Sequence, residues 1–222
     1  MKIQGFWTRK RKQPSPSSPK RKSKQKNYIP PLVNWHPQAL QVLDWCVTFS
    51  TVILLLLMLL TRFPGMELLG IGPNWLLIWV VAWSVKRSAL EGAVAGVVLG
   101  LLQDAMTAPH PTHALGLGVV GLITGLLQKQ RFIQEDFISI ALIVFGMSLL
   151  TETIFALQLI FVGDSAGADL PVRNPEYIWT YYQRIALASA ILSSLWAPVV
   201  YFPLNRWWQK LKLAAQVTAT KF

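Results

Sequence analysis

Long apolar runs separated by short polar breaks dominate the chain, and six such runs stand out. The first covers Leu43 to Leu60 and holds the unbroken block Val52-Ile53-Leu54-Leu55-Leu56-Leu57-Met58-Leu59-Leu60. The second runs from Ile71 to Val85 and stops at Lys86-Arg87. A third, Ala89 to Leu102, ends at Asp104, and a fourth, Ala114 to Leu127, ends before Lys129 and Arg131. The fifth spans Phe137 to Val162, and the last runs from Ile185 to Leu204 and closes on Arg206-Trp207-Trp208 and Lys210. A helix needs about 20 apolar residues to cross a hydrocarbon core about 30 Å thick. The pattern therefore predicts an all-α integral membrane protein with about six transmembrane helices. Runs two, three and four fall short of that length. They are expected either as thin crossings or, for runs three and four, as a re-entrant hairpin.

The breaks carry their own signals. Trp75, Trp79 and Trp83 recur at i, i+4 and so line one helix face, against lipid or against a neighbour. The loop TAPHPTH follows the third run, and the segment 163–182 is expected as a loop with Asp164, Asp169, Glu176, Trp179, Tyr181 and Tyr182. Ahead of the first run, residues 1–27 are basic and Pro/Ser-rich, and such a composition cannot bury enough apolar surface to order itself. The expected organisation is a disordered basic tail (1–27), an interfacial lead-in (28–41), a polytopic helical body (42–212) and a short C-terminal tail (213–222). The first run is expected to be a retained signal anchor, because FPGMELLG after it offers no small-x-small cleavage site.

Composition agrees with the membrane class. The chain is 53% hydrophobic and 14% charged, and mean hydropathy is +0.40. The net charge of +11 resembles a nucleic-acid signal until its distribution is read. Ten of the 21 Lys and Arg residues lie between Lys2 and Lys26, and the rest of the chain holds 11 basic and 10 acidic residues. The basicity belongs to a tail beside a membrane, where each cation attracts anionic lipid by roughly 1 kcal/mol. Anionic lipid, rather than nucleic acid, is the expected partner of that tail. With the N-terminus inside and six crossings, 18 of the 21 Lys and Arg residues fall on the cytoplasmic side, and only Arg62, Arg173 and Arg184 fall outside. That asymmetry follows the positive-inside rule and predicts two cytoplasmic termini.

Few residues offer chemistry. Cys46 is the single cysteine; it excludes an internal disulfide and is expected as a small buried hydrophobe. Gly92, Gly96 and Gly100 form a double GxxxG on the third run, and Asp104 continues the same stripe. The fourth run carries Gly116, Gly118, Gly121 and Gly125, so seven of the 14 glycines fall between residues 92 and 125. Small residues let helix backbones approach closely in lipid, which predicts tight contact between the two helices or with another subunit. Asp104 is expected near the end of its helix, either capping the following turn or acting within a site. His110 and His113 lie close by, but two histidines and an aspartate on a Pro-interrupted loop make a poor metal set, and no metal or cofactor is expected. Glu152 sits near the middle of the fifth run, where an ionisable group is costly and marks a polar contact. HExxH, GxSxG and Walker A patterns are absent. The sequence offers no nucleophile or metal cluster that matches Asp104 and Glu152 in a known catalytic pattern, so the chain is expected to be non-enzymatic.

The segment Gly100-Leu101-Leu102-Gln103-Asp104, followed after a short turn by His113-Ala114-Leu115-Gly116, resembles the signature of the MreD family, small polytopic membrane proteins of the bacterial rod-shape system. Length, number of runs and a basic late segment agree with it over most of residues 40–212. The turn differs, being rich in proline (Pro109, Pro111) where the family usually has a glycine. The resemblance implies a plasma-membrane scaffold that binds MreC, a bitopic partner. Through that partner it would help organise cell-wall synthesis proteins, with an indirect link to MreB filaments. It also implies a fold similar to the substrate-binding subunit of energy-coupling-factor (ECF) transporters, and hence an alternative: a small-solute-binding subunit with the loop 163–182 as its lid.

Overall fold

The computed structural model describes residues 37–61, 65–68, 70–107, 111–129, 136–163 and 175–219. The basic tail and residues 28–36 of the lead-in lie outside these residues. Six helices follow one another in the described chain: α1 (Pro37–Leu60), α2 (Trp75–Ser84), α3 (Ala89–Met106), α4 (His113–Lys129), α5 (Phe137–Gly163) and α6 (Pro175–Ala219). Four of them contain a stretch long and apolar enough to cross a membrane: Gln38–Leu60, Ala89–Met106, Phe137–Phe161 and Trp179–Ala214. The protein is an all-α membrane protein, as the run pattern predicts. Its outer surface is apolar, with Leu90, Val94, Ile138, Leu142, Phe161 and Leu195 among its most exposed side chains.

The short second run becomes the centre. Helix α2 has 10 residues, about 15 Å at 1.5 Å per residue, which is half the hydrocarbon thickness. It is clothed on every side: Leu76, Leu77, Val80 and Val81 are 0% exposed, and α1, α3, α4, α5 and α6 all pack on it. A helix buried in protein has no need to match the bilayer. Its sequence, apolar up to the final Ser84 and with no polar stripe, fits burial rather than a surface position. Of the tryptophan row, Trp75 and Trp79 are buried and Trp83 is partly buried; the row packs on neighbours.

The ends of α2 are satisfied locally and across helices. Before it, Leu68 and Ile71 exchange backbone hydrogen bonds of 2.9 and 3.0 Å, a tight reversal made possible by Gly70 at φ +79°. Asn74 caps the helix, its Oδ1 accepting from the Leu77 N–H at 3.1 Å. The Asn74 N–H donates to Ser193 Oγ of α6 at 2.9 Å. Farther along, Trp79 Nε1 donates to Thr51 Oγ1 of α1 at 3.1 Å. After α2, Arg87 pairs with Asp44 of α1 at 3.7 Å and lies over the Trp83 ring, while Ser88 and Glu91 form a reciprocal capping box that opens α3.

Helices α3 and α4 make the most extensive helix pair, with α5 and α6 next. Glycines account for the first. A Cβ added at Gly92 would lie 2.5 Å from the Gly121 carbonyl oxygen, and one at Gly100 would lie 2.6 Å from the Ala114 nitrogen. A Cβ at Gly96 would strike the Leu117 carbonyl, and one at Gly125 would lie 2.6 Å from the Ala89 Cα. These are backbone atoms, so neither helix can yield without separating. A Cβ at Gly118 would press closely only on the Val97 side chain, with α3 backbone atoms at ordinary contact distance, and Gly116 is turned away from the seam toward Thr151 of α5.

Several expectations move. Helix α1 begins at Pro37, so the end of the lead-in is already helical. Helix α6 begins at Pro175, which puts Trp179, Tyr181 and Tyr182 on a helix, not in a loop. It also runs on to Ala219 through Pro198 and Pro203, well past the apolar run and into the expected C-terminal tail. Proline is tolerated inside membrane helices because neighbours can re-satisfy the freed backbone groups. Cys46 is exposed on α1, not buried, because α1 lies at the edge with most of its surface uncovered.

Substitution at the seam separates two glycine roles. Gly121→Ala is expected to lower stability by about 1–3 kcal/mol through overpacking. Gly146→Ala on α5, where nothing lies within 4 Å of the added Cβ, is expected to be neutral or to stabilise by up to about 1 kcal/mol through helix propensity. Thermal unfolding of the purified chain in detergent compares the two; equal losses would contradict the seam.

Candidate functional site

The α3–α4 turn is closed by a carboxylate. Asp104 occupies the last turn of α3, with its side chain 10% exposed. The Thr112 hydroxyl donates to its Oδ2 at 2.5 Å. His113 donates twice, from its backbone N–H to Oδ1 at 2.9 Å and from Nδ1 to Oδ1 at 2.6 Å. A carboxylate only accepts, so this contact puts the His113 ring proton on Nδ1. Thr112 in turn accepts from the Ala114 N–H at 3.1 Å, as an N-cap does. The first N–H of α4, that of His113, thus points at Asp104, and the positive end of a helix dipole is a favourable place for an anion.

The fifth helix joins this clasp. Gln158 Nε2 donates to the Thr112 carbonyl at 3.1 Å. The His113 ring lies 4.7 Å from the Phe155 ring, centroid to centroid, and Phe155 lies 5.7 Å from Tyr182 of α6. Four helices therefore converge around one acid. His110 lies outside the described residues, and no group of three or more possible metal ligands occurs among the described ones.

Glu152 lies elsewhere on α5. It is half-buried and faces a cleft of about 300 Å³ between α5 and α6. Thr153 lies beside it, and Trp179, Tyr182, Gln183 and Leu187 form the α6 wall. Trp179 and Tyr182 do line a pocket, but they ride on helix α6 rather than on the expected loop, whose residues 164–174 lie outside the described ones. The structure thus gathers Gly92, Gly96, Gly100, Gly121, Gly125 and Asp104 into one α3–α4 unit. Gly116 and Glu152 belong to the contacts of α5. Sequence reasoning missed Thr112, Gln158 and Phe155. Thr112 was within reach, standing directly before an apolar helical run in the N-cap position. Gln158 and Phe155 meet the clasp only through tertiary packing.

The chain matches the family of rod shape-determining protein MreD over residues 40–210. It belongs to the MreD family. The match takes in all of α2 to α5, nearly all of α1 and most of α6, and therefore the glycine seam, the Asp104 clasp and the Glu152 cleft. No curated protein matches the chain. MreD is a shape-determining family and is not known as an enzyme family.

The clasp makes a graded prediction. Asp104→Ala leaves the Thr112 hydroxyl and two His113 donors without their acceptor, at about 1–3 kcal/mol for each buried group left unpaired. Asp104→Asn keeps one acceptor oxygen and should fall between alanine and the native residue. Thermal unfolding of the three proteins in one detergent orders them; an Asp104→Ala protein as stable as the native one would show that the clasp is idle.

Proposed function

We propose that this MreD-family chain is a non-enzymatic scaffold of the rod-shape machinery in the bacterial plasma membrane. It binds an MreC-like bitopic protein and through it helps organise peptidoglycan synthesis, with MreB filaments linked indirectly. The observation that carries this reading is the family match across residues 40–210. The geometry supports it. The seam glycines are used up inside the α3–α4 pair, so what the pair offers a partner is its outer face. That face is apolar, with Leu90, Val94, Val98 and Leu101 of α3 and Leu115, Leu122 and Leu126 of α4 exposed. The seam and Asp104 set the spacing of these ridges. In lipid, helices associate by surface fit rather than by hydrophobic drive, so ridge spacing decides whether a partner helix seats. The positive-inside asymmetry favours cytoplasmic termini, with the basic tail against anionic headgroups.

Asp104→Ala and Gly96→Leu should each reduce the MreC-like protein recovered with the tagged chain by about tenfold, a loss of about 1.4 kcal/mol. Cells relying on either variant should round up. Both variants must still be found inserted in the membrane fraction. Native recovery of the partner and unchanged rod shape with both would refute the assignment of this unit.

A further inference from the structure

The cleft between α5 and α6 holds an acid that the described residues leave unused. Among the described residues, Glu152 has no hydrogen-bond or ion-pair partner. It lies about 22 Å along α5 from Phe137 and about 16 Å from Gly163, well inside the helix. An ionisable group at such a position is costly unless something pairs with it. The other buried polar groups nearby behave differently: Ser148 meets Ser189 at 3.4 Å, and Thr151 bonds back to Met147 O at 3.0 Å.

The walls describe what would satisfy this acid. The Trp179 indole and the Tyr182 phenol flank the cleft, and Gln183 adds an amide. Aromatic faces attract cations, and a carboxylate beside them completes a site for positive charge. Its volume of about 300 Å³ is at the small end of ligand pockets. Among the described residues, the cleft is lined by α5 and α6 alone. On one side of it Tyr177 and Tyr181 are exposed, as expected of the aromatic belt at headgroup level. On the other, Leu187, Ile191 and Leu195 are exposed down α6, a track for an acyl chain. Trp179 to Leu187 covers about 12 Å of α6, from the belt inward.

We propose that this cleft is a binding site for a primary ammonium group, with Glu152 as counter-ion, Trp179 and Tyr182 as aromatic walls and the Gln183 carbonyl as a further acceptor. The chemistry is shared by two sources, the headgroup of an aminophospholipid and a free small amine. The flanking belt and acyl track fit the lipid.

The test uses the full chain in nanodiscs of mixed phosphatidylethanolamine and phosphatidylglycerol. Native mass spectrometry counts the lipids retained on release. The native chain should keep phosphatidylethanolamine in preference to phosphatidylglycerol. Glu152→Gln should weaken that retention by about tenfold, as expected for loss of a charge-assisted contact. Leu187→Trp provides a second variant that keeps the acid and fills the cleft from an exposed position, and it should have the same effect. In a parallel arm, ethanolamine is added to nanodiscs of phosphatidylglycerol alone. A thermal shift of the native chain there that both variants lose, without lipid enrichment, assigns the site to a free amine and supports the ammonium reading. No enrichment and no shift overturns it. So does equal enrichment in native and variant chains, or a variant whose only loss is a co-purifying protein, which would make the counter-charge a partner's basic side chain.

Discussion

A helix of 10 residues cannot reach across a bilayer, and the whole body is arranged around that shortfall. Helix α2 is stable at membrane depth only because five neighbours cover it and because its ends are answered by side chains from elsewhere. Asn74 caps its start and reaches Ser193 of α6. Arg87, just beyond its end, reaches Asp44 of α1. In lipid, burying apolar surface against other apolar surface contributes little by itself, so these polar ties and close packing must fix the arrangement. Helices α1, α3, α4, α5 and α6 are thereby placed around one filled centre.

The glycine seam solves the second problem, how α3 and α4 stay together. Backbone contact brings α3 and α4 close enough for dispersion to act along their length. It also leaves the pair unable to shift without a clash, because the opposing atoms are carbonyls and Cα atoms rather than side chains. Asp104 then locks the open end. Its position at the end of one helix and before the start of the next lets one carboxylate satisfy donors that a helix start otherwise leaves unpaired. Register and closure are thus set by different groups, one by the absence of side chains and the other by a single charge.

Much of this was legible in the chain, for physical reasons. A GxxxG repeat puts glycines on one helix face whatever surrounds it, so the α3 side of the seam follows from spacing alone. Run length and charge likewise point to a helical membrane protein, because the bilayer imposes both. What spacing does not carry is which surface a helix meets. Gly116 reads like its neighbours Gly118 and Gly121 but turns to Thr151 of α5. The tryptophans of α2 read equally well as lipid-facing or packed. Cys46 looks like any buried small residue until α1 proves to be an edge helix. Arg206 and Lys210 after Leu204 suggested an end that α6 passes through, since tertiary context and not propensity decides where so long a helix stops.

The fifth helix links the two polar features that remain. Thr151, Phe155 and Gln158 recur at i, i+4 and i+7 and turn toward α4. Thr151 packs on Gly116, Phe155 on His113, and Gln158 on the Thr112 carbonyl. Glu152 and Ala156, one residue on from Thr151 and Phe155, line the cleft toward α6. The Asp104 clasp and the Glu152 cleft are therefore adjacent faces of one helix, and the Phe155 ring touches both, through His113 on one side and Tyr182 on the other. A change that moves Tyr182 displaces the ring against which His113 rests, and His113 holds Asp104. Because the α3–α4 ridges take their spacing from the seam that Asp104 closes, occupancy of the cleft and the shape of that outer surface are connected by contacts two rings long.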